Sequence, residues 1–252
     1  MFDPFKDFET AGYLRNTHRV KDARQVKKIE HDLFLANLPD ALGFLAAQDQ
    51  LGYGEYLAVH RILFADFYPW AGQDRAVTAP DIAVSKAGLL FSHPKDAQRA
   101  VAEGLRLGQL KARMNAEPGL VMGLFAYGHP FLDGNGRTML VVHAELCYRA
   151  GMSINWSRST KSDYLAALSE EIRRPGAGVL DRYLLGLKEN RLEREVWEQE
   201  IFAIKGLGGQ VMDHIEGQFS DALVAEKYRT FDQQRAYQIA DASAPGDAPL
   251  GQ

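Results

Sequence analysis

The sequence predicts a mostly α-helical bundle with a small β-hairpin flap. Three observations carry this reading. Apolar residues recur at three- and four-residue spacing through most of the chain, and Pro, Gly and capping residues cut it into helix-length pieces. One stretch, Arg75 to Phe91, breaks that rhythm. At 252 residues the chain holds one substantial core plus a smaller appendage, with no repeat at a solenoid period.

Taken in order, Gly54 to Phe67 places Tyr56, Leu57, Val59, Ile62, Leu63 and Phe64 on an amphipathic helix that Pro69 stops. From Arg75 to Phe91, Val77, Ile82 and Val84 alternate with smaller or polar residues, and Pro80 and Gly88 punctuate, which predicts the hairpin. Ser92 is the expected N-cap of a helix opened by Pro94 and Asp96 and running through Leu105 and Leu110 to Met114. Pro118 opens another, ending near Gly128. Thr138 to Ala150 is apolar almost all round, with Gly151 placed as its C-cap, so that helix belongs in the core. Thr160 and Asp163 form a capping box before Tyr164, Leu165, Leu168 and Ile172, Pro175 ends that helix, and Val179 to Leu187 gives one more. The domain reading is therefore residues 1–190 with an N-terminal helical region, a helical extension over 191–240 broken at Gly206, Gly208 and Gly209, and a disordered tail over 241–252, rich in Ala, Pro, Gly and Asp.

Composition excludes several function classes. Hydrophobic residues at 46% and charged residues at 25% describe a folded chain, and a net charge of -4 gives no general pull towards nucleic acid or an acidic membrane surface. Cys147, the single cysteine, can form neither an intrachain disulfide nor a cysteine-based zinc site. Met1 to Arg19 lacks the apolar core of a cleavable signal, and no stretch has the ~18–20 apolar residues of a membrane span. The expectation is a cytoplasmic protein with no membrane partner. Export by a machine that reads no cleaved signal would leave no trace here.

The chemistry lies in His129-Pro130-Phe131-Leu132-Asp133-Gly134-Asn135-Gly136-Arg137, between two apolar helices. Gly134, Asn135 and Gly136 tolerate positive φ just before a helix, so successive backbone N–H groups can converge as an anion nest backed by the helix's positive dipole end. Arg137 can fork onto phosphate oxygens. Asp133 offers a hard carboxylate suited to Mg²⁺. His129 titrates near neutrality and can take a proton from an attacking hydroxyl. Taken singly each residue reads as structural or solvated; the ordered string is what makes the functional reading the stronger one.

The string resembles the Fic family motif, His-Pro-Phe-x-(Asp/Glu)-Gly-Asn-Gly-Arg-x-x-Arg, at eleven of twelve positions. Leu63 to Gly72 with Arg75 resembles the segment before the family's flap, Ile82-Ala83-Val84-Ser85-Lys86 resembles the flap itself, and Tyr13-Leu14-Arg15-Asn16 resembles the start of bacterial Fic toxins and effectors. The resemblance covers roughly residues 1–190. It implies a Fic-type helical bundle and a protein adenylyltransferase that moves AMP from ATP to a hydroxyl of a target protein. In that reading His129 is the general base and Asp133 holds Mg²⁺, Gly134, Asn135, Gly136 and Arg137 cradle the phosphates, and Ile82, Ala83, Val84 and Ser85 clamp the target by strand addition.

The twelfth motif position, an arginine in the family that holds the γ-phosphate or pairs with an inhibitory glutamate, is Leu140 here. The family's inhibitory pattern, Ser or Thr, three residues, then Glu followed by Gly or Asn, is absent. Glu103-Gly104, Glu189-Asn190 and Glu216-Gly217 are preceded at the needed position by Arg99, Leu185 and Met212. Glu216 comes nearest and reads as a solvated helical residue. Inhibition is therefore expected from a separate antitoxin-like chain or from the C-terminal region. The alternatives are a Fic-like transferase of UMP, phosphocholine or phosphate, and a catalytically silent binding module. His143, His60, His93, His18, His31 and His214 show no metal-ligand spacing and are read as structural, and Trp70, Trp156 and Trp197 as packing residues.

Overall fold

The computed structural model describes residues 2–204 and 213–233. A short helix α1 (Phe8–Ala11) and a 3₁₀ turn lead into α2 (Ala23–Ala46), which Asp22 caps by accepting the amides of Arg24 and Gln25. Val26, Glu30, Phe34, Leu38, Ala41 and Leu45 form the buried face of α2, a spacing of three or four that lays one stripe on the core. Helix α3 (Tyr53–Phe64) follows, its Glu55 carboxylate accepting the Gly52 N–H at 2.7 Å.

The stretch expected to be hairpin from Arg75 onwards begins instead with one helical turn, α4 (Arg75–Thr78), because Asp74 caps it through the Ala76 N–H at 2.7 Å. The hairpin proper is β1 (Ile82–Lys86) and β2 (Leu89–Leu90), joined by Ala87 and Gly88, both at positive φ as a tight two-residue turn requires. In α5 (Pro94–Gly108) the cap is His93, not Ser92. Ser92 instead donates its N–H to Tyr127 O and its hydroxyl to Gly128 O, both at 2.9 Å, stitching the flap to the end of a core helix. The expected continuation to Met114 is a separate helix, α6 (Lys111–Ala116).

Helix α7 (Pro118–Gly128) is the centre of the molecule, with all but Leu120 of its residues buried, and it packs against α5, α6 and the next helix, α8 (Asn135–Ala150). Helix α8 begins three residues before the expected Thr138 and ends at Gly151, φ 85°. Strand β3 (Met152–Ile154), α9 (Lys161–Arg173), which also packs on α7, α10 (Val179–Gly186), likewise against α7, and β4 (Lys188–Asn190) complete this body, with β3 and β4 antiparallel. As expected, Thr160 caps α9 through the Asp163 N–H.

The region expected to be helical over 191–240 is only partly so. It supplies α11 (Trp197–Phe202), then β5 (His214–Gln218), then α12 (Ala222–Gln233). The strand exists because the flap offers an open edge: β5 pairs antiparallel with β1, giving the order β2-β1-β5. Glu216, read from sequence as a solvated helical residue, lies in β5 and accepts a hydrogen bond from Ser85 Oγ. Helix α11 buries Trp197 and Ile201, the latter in the main core. Helix α12 lays Val224 and Tyr228 on Ala83 and Leu90 of the flap as a second, small apolar cluster. The expected break at Gly206, Gly208 and Gly209 and the expected tail over 241–252 lie outside the described residues. Among the described residues no helix is long and apolar enough to cross a membrane.

Candidate active site

The loop between α7 and α8 and the first turn of α8 hold every residue of the motif that the sequence singled out. His129 is the C-cap of α7 at φ 42° and ψ 56°, a left-handed conformation that is strained for a residue with a Cβ. Arg75 holds it there. Fully buried, Arg75 donates its backbone N–H to Pro130 O at 2.7 Å, Nε to His129 O at 2.6 Å and Nη2 to Ser92 O at 3.0 Å. These bonds, the two from the guanidinium charge-assisted, tie the flap's root to the loop and offset the strain.

Further along, Asn135 folds its amide back onto the loop, accepting the Phe131 N–H at 2.9 Å and donating to Phe131 O at 2.7 Å. Its side chain therefore braces the loop, leaving its backbone to face an anion. Of the three residues expected to exploit positive φ, Gly134 does, at 77°, while Asn135 and Gly136 are the first turn of α8. A Cβ on Gly134 would sit 2.6 Å from Phe64 Cε2, so the position requires glycine on two counts. The first intrahelical bond of α8 is Thr138 N–H to Gly134 O at 3.0 Å, which leaves the amides of Asn135, Gly136 and Arg137 as the helix's opening donors.

His60 underlies the loop. Its Nδ1 accepts the Gly72 N–H at 2.9 Å, so Nε2 carries the proton and donates to Asp133 O at 3.0 Å, while the ring stacks on Phe131 at 3.7 Å. Burial pushes its pKa down to about 3, which keeps it neutral. It is structural, as the sequence suggested, and what it positions is the motif.

Around Asp133 the charges form one cluster. Lys27 contacts the Asp133 carboxylate and lies 2.9 Å from Glu30, which also accepts the Tyr68 hydroxyl at 2.7 Å and sits 3.4 Å from Arg137. The Arg137 guanidinium lies over the Phe64 ring at 4.6 Å. Burial would disfavour ionised Asp133, but the charges of Lys27, Arg137 and Lys86 outweigh it and hold the carboxyl below its usual range. Fully buried Glu30 sets the two cations in place.

His129 lies flat against Phe91, ring centres 3.7 Å apart and 5° from parallel, and its Nε2 meets Asp213 Oδ2 at 2.7 Å. Lys86 Nζ sits 3.0 Å from the other oxygen of Asp213. Burial lowers the His129 pKa, Asp213 opposes that shift, and Arg75 and Lys86 reinforce it. His129, Lys86 and Asp213 border a cavity of about 360 Å³ whose walls also include Lys27, Asp133, Gly134, Asn135, Gly136 and Arg137. Its apolar lining includes Met139, Leu140, Trp156, Tyr164 and Leu168, so Trp156 is a cavity wall as well as a packing residue. Anion donors and apolar groups lining one cavity suit a ligand with a phosphate end and an aromatic end. Among the described residues no group of three or more His, Cys, Asp or Glu side chains gathers to hold a metal by itself.

A profile of the Fic/DOC family matches residues 50–147. A probable protein adenylyltransferase of Sinorhizobium fredii is 31% identical over 165 residues, which cover 62% of this chain and 81% of that protein. The chain belongs to the Fic/DOC family. It is also 26% identical over 222 residues to the protein adenylyltransferase VbhT of Bartonella schoenbuchensis, a match covering 85% of this chain and 44% of VbhT. The chain thus spans less than half the length of that relative. Among solved structures, the N-terminal Fic domain of a Bartonella quintana effector with bound ADP matches at TM-score 0.61 and 20% identity, over 73% of this chain and 94% of that one. The BepC protein of Bartonella tribocorum with bound AMPPNP matches at TM-score 0.58 and 16% identity, over 73% and 96%. At these identities the likeness establishes a shared fold.

Against the family pattern, this Fic chain places Leu140 on the cavity wall where the motif's last arginine is absent, while Lys27 brings a cation to the same cavity from α2. Sequence reading passed over Lys27 and Glu30. The signal was a carboxylate on the apolar stripe of α2, where Val26, Glu30, Phe34 and Leu38 share one face. Asp213 had no comparable signal, since neither spacing nor neighbours in the sequence tie it to His129. The flap residues Ile82, Ala83, Val84 and Ser85 form β1 as expected, and the edge that strand addition would use is taken by β5.

Proposed function

We propose that the chain is a protein adenylyltransferase that moves AMP from ATP to a hydroxyl side chain of a target protein. The observation that carries this is one cavity bordered both by a buried, low-pKa imidazole and by a glycine-opened helix N-terminus with Arg137. A general base beside a phosphate cradle is the minimum a nucleotidyl transfer to an alcohol needs. The names of the relatives support the same reading.

In this reading the neutral His129 accepts the proton of the attacking hydroxyl. The amides of Asn135, Gly136 and Arg137, with the Arg137 guanidinium, stabilise charge on the phosphate oxygens as the bond from the α-phosphorus to the leaving pyrophosphate breaks. Lys27, already in the cavity, supplies a positive charge that Leu140, at the motif's last position, does not. The cluster suits Mg²⁺: Asp133 is a hard carboxylate held ionised, and the cation Lys27 stands against it. A single carboxylate with the remaining ligands drawn from phosphate and water is how this ion is commonly held. When bound, the ion would neutralise phosphate charge. Met139, Leu140, Trp156 and Tyr164 would receive the base.

Incubating the chain and a cell lysate with ATP labelled at the α- or the γ-phosphate tests this reading. Protein-bound α-label that disappears in His129→Ala is the expected result. Protein-bound γ-label, or transfer only from another nucleotide, would assign a different group.

A further inference from the structure

We infer that residues 213–218 are a built-in stand-in for the target: they occupy the flap edge on which an acceptor segment adds as a strand, and residue 213 marks where the acceptor side chain sits. The inference rests on the adenylyl-transfer reading for its chemistry and on geometry alone for its docking. Strand β5 runs antiparallel to β1 with Ser85 opposite His214, Val84 opposite Ile215, Ala83 opposite Gly217 and Ile82 opposite Gln218. That is strand addition to an open edge, carried out by the chain's own segment. Immediately before the strand, Asp213 puts an oxygen 2.7 Å from His129 Nε2, the distance a hydroxyl must reach to hand over its proton. An aspartate at this place holds the base yet has no hydroxyl to hand it a proton and receive the AMP.

The occupant touches the main core through Ile215, and further contacts hold it from the flap and α12. Phe219 lies against the His93 ring at 3.9 Å, Val224 and Tyr228 of α12 cover Ala83 and Leu90, and Glu216 reaches both Ser85 and Lys227. The register describes the target it keeps out. That target is an extended segment whose hydroxyl residue sits at the position of Asp213, beside the Lys86 ammonium. Its next two residues pair with Ser85 and Val84, and a bulge follows, where Glu216 is the extra residue.

Two measurements test this on the full chain. In amide hydrogen exchange, 82–86 and 214–218 are expected to be protected together, and Asp213→Ala to speed exchange of 214–218 by about tenfold or more, since it removes a buried charge-assisted bond. Unprotected 214–218 in the unaltered chain would overturn the docking. Asp213→Ser, incubated with α-labelled ATP, is expected to label itself at position 213 at a rate independent of dilution. There the introduced hydroxyl oxygen bonds the α-phosphorus, its proton passes to His129, and pyrophosphate leaves with the electron pair of the broken bond. Asp213→Ala is expected to raise transfer to lysate proteins. A fall in that transfer would make Asp213 an orienting partner of His129 and overturn the stand-in. An unlabelled position 213 beside active transfer to other proteins would overturn the register. If neither chain labels anything, the failure belongs to the adenylyl-transfer reading, and the exchange result alone decides whether 213–218 occupies the edge.

Discussion

The motif loop and the flap edge meet at His129, yet they are built to different standards. The loop from His129 to Gly134 is anchored in the main core by Arg75, His60 and Asn135, each bonded to loop backbone at 2.6–3.0 Å. The edge carrying β5 touches the main core through partly buried Ile215 and Phe231, and otherwise leans on a second cluster of four buried residues, Ala83, Leu90, Val224 and Tyr228. Preorganisation belongs where charge develops in a reaction, and reversibility belongs where a partner must enter. The contrast assigns each region its task, and four measurements press on it.

The largest effect is expected on chemistry. His129→Ala should reduce transfer of α-label by about 10²–10⁴-fold, the usual contribution of a positioned base, while amides of 214–218 lose no more protection than in Asp213→Ala, since both changes remove the same bond. A larger loss of protection, spreading to the core helices, would show that the two regions are one unit.

Next comes acid. His60 and His143 are fully buried, with pKa values pushed down to about 3 and about 4 by burial, and His129 is lowered in the same direction. The folded state refuses protons that the unfolded chain accepts below pH ~6.5. Stability is therefore full above that value and lost as pH falls towards the folded pKa values. Each histidine costs about 1.4 kcal/mol per pH unit, so His60 and His143 together remove about 4 kcal/mol between pH 6.5 and 5. Urea midpoints at the two pH values measure it. His143→Gln should remove about half of the dependence if the buried Nε2 bond to Pro118 O at 2.9 Å is kept by the amide. A midpoint flat over this range would mean these rings are protonated in the fold.

Third, Gly134→Ala should destabilise the chain by about 2–3 kcal/mol, from the positive φ and the 2.6 Å approach to Phe64. Denaturant melts read it directly. A loss below about 0.5 kcal/mol would show that the loop gives way, and would weaken the claim that it is the rigid partner.

What the sequence made legible follows the same division. The helices that bury an apolar face, their Pro and Gly boundaries, and the order of His129, Asp133, Gly134 and Arg137 were all readable, because local periodicity and turn chemistry act over a few residues. The role of Asn135 as a loop brace was not, since the same side chain suits an anion site or a turn and only the Phe131 bonds decide between them. Strand β5 was read as helix because its pairing partner lies some 130 residues away, Ser85 to Glu216 being separated by 131 positions. A strand that completes another element's edge carries little signal of its own. Asp213 shares that blindness: burial next to His129 is a tertiary fact.

The smallest effect tests the edge itself. Val224 is 6% exposed and packs in the cluster of four, and its Cγ2 is 2.8 Å from where a Cβ on Gly217 would lie, so α12 and β5 are fitted to one another. Val224→Asp places a charge among those buried apolar side chains, which desolvation disfavours. Helix α12 should then leave the flap. The unfolding free energy read from the main midpoint should fall by less than about 1 kcal/mol, because ordering entropy regained by the released segment offsets most of the lost burial. Exchange at Val84 and Ser85 should rise at the same time, since their β5 partners go with it. If the midpoint drops as far as in Gly134→Ala, the edge is welded to the core. A partner could then enter only by unfolding the bundle, and the division between a fixed loop and a releasable strand would fail.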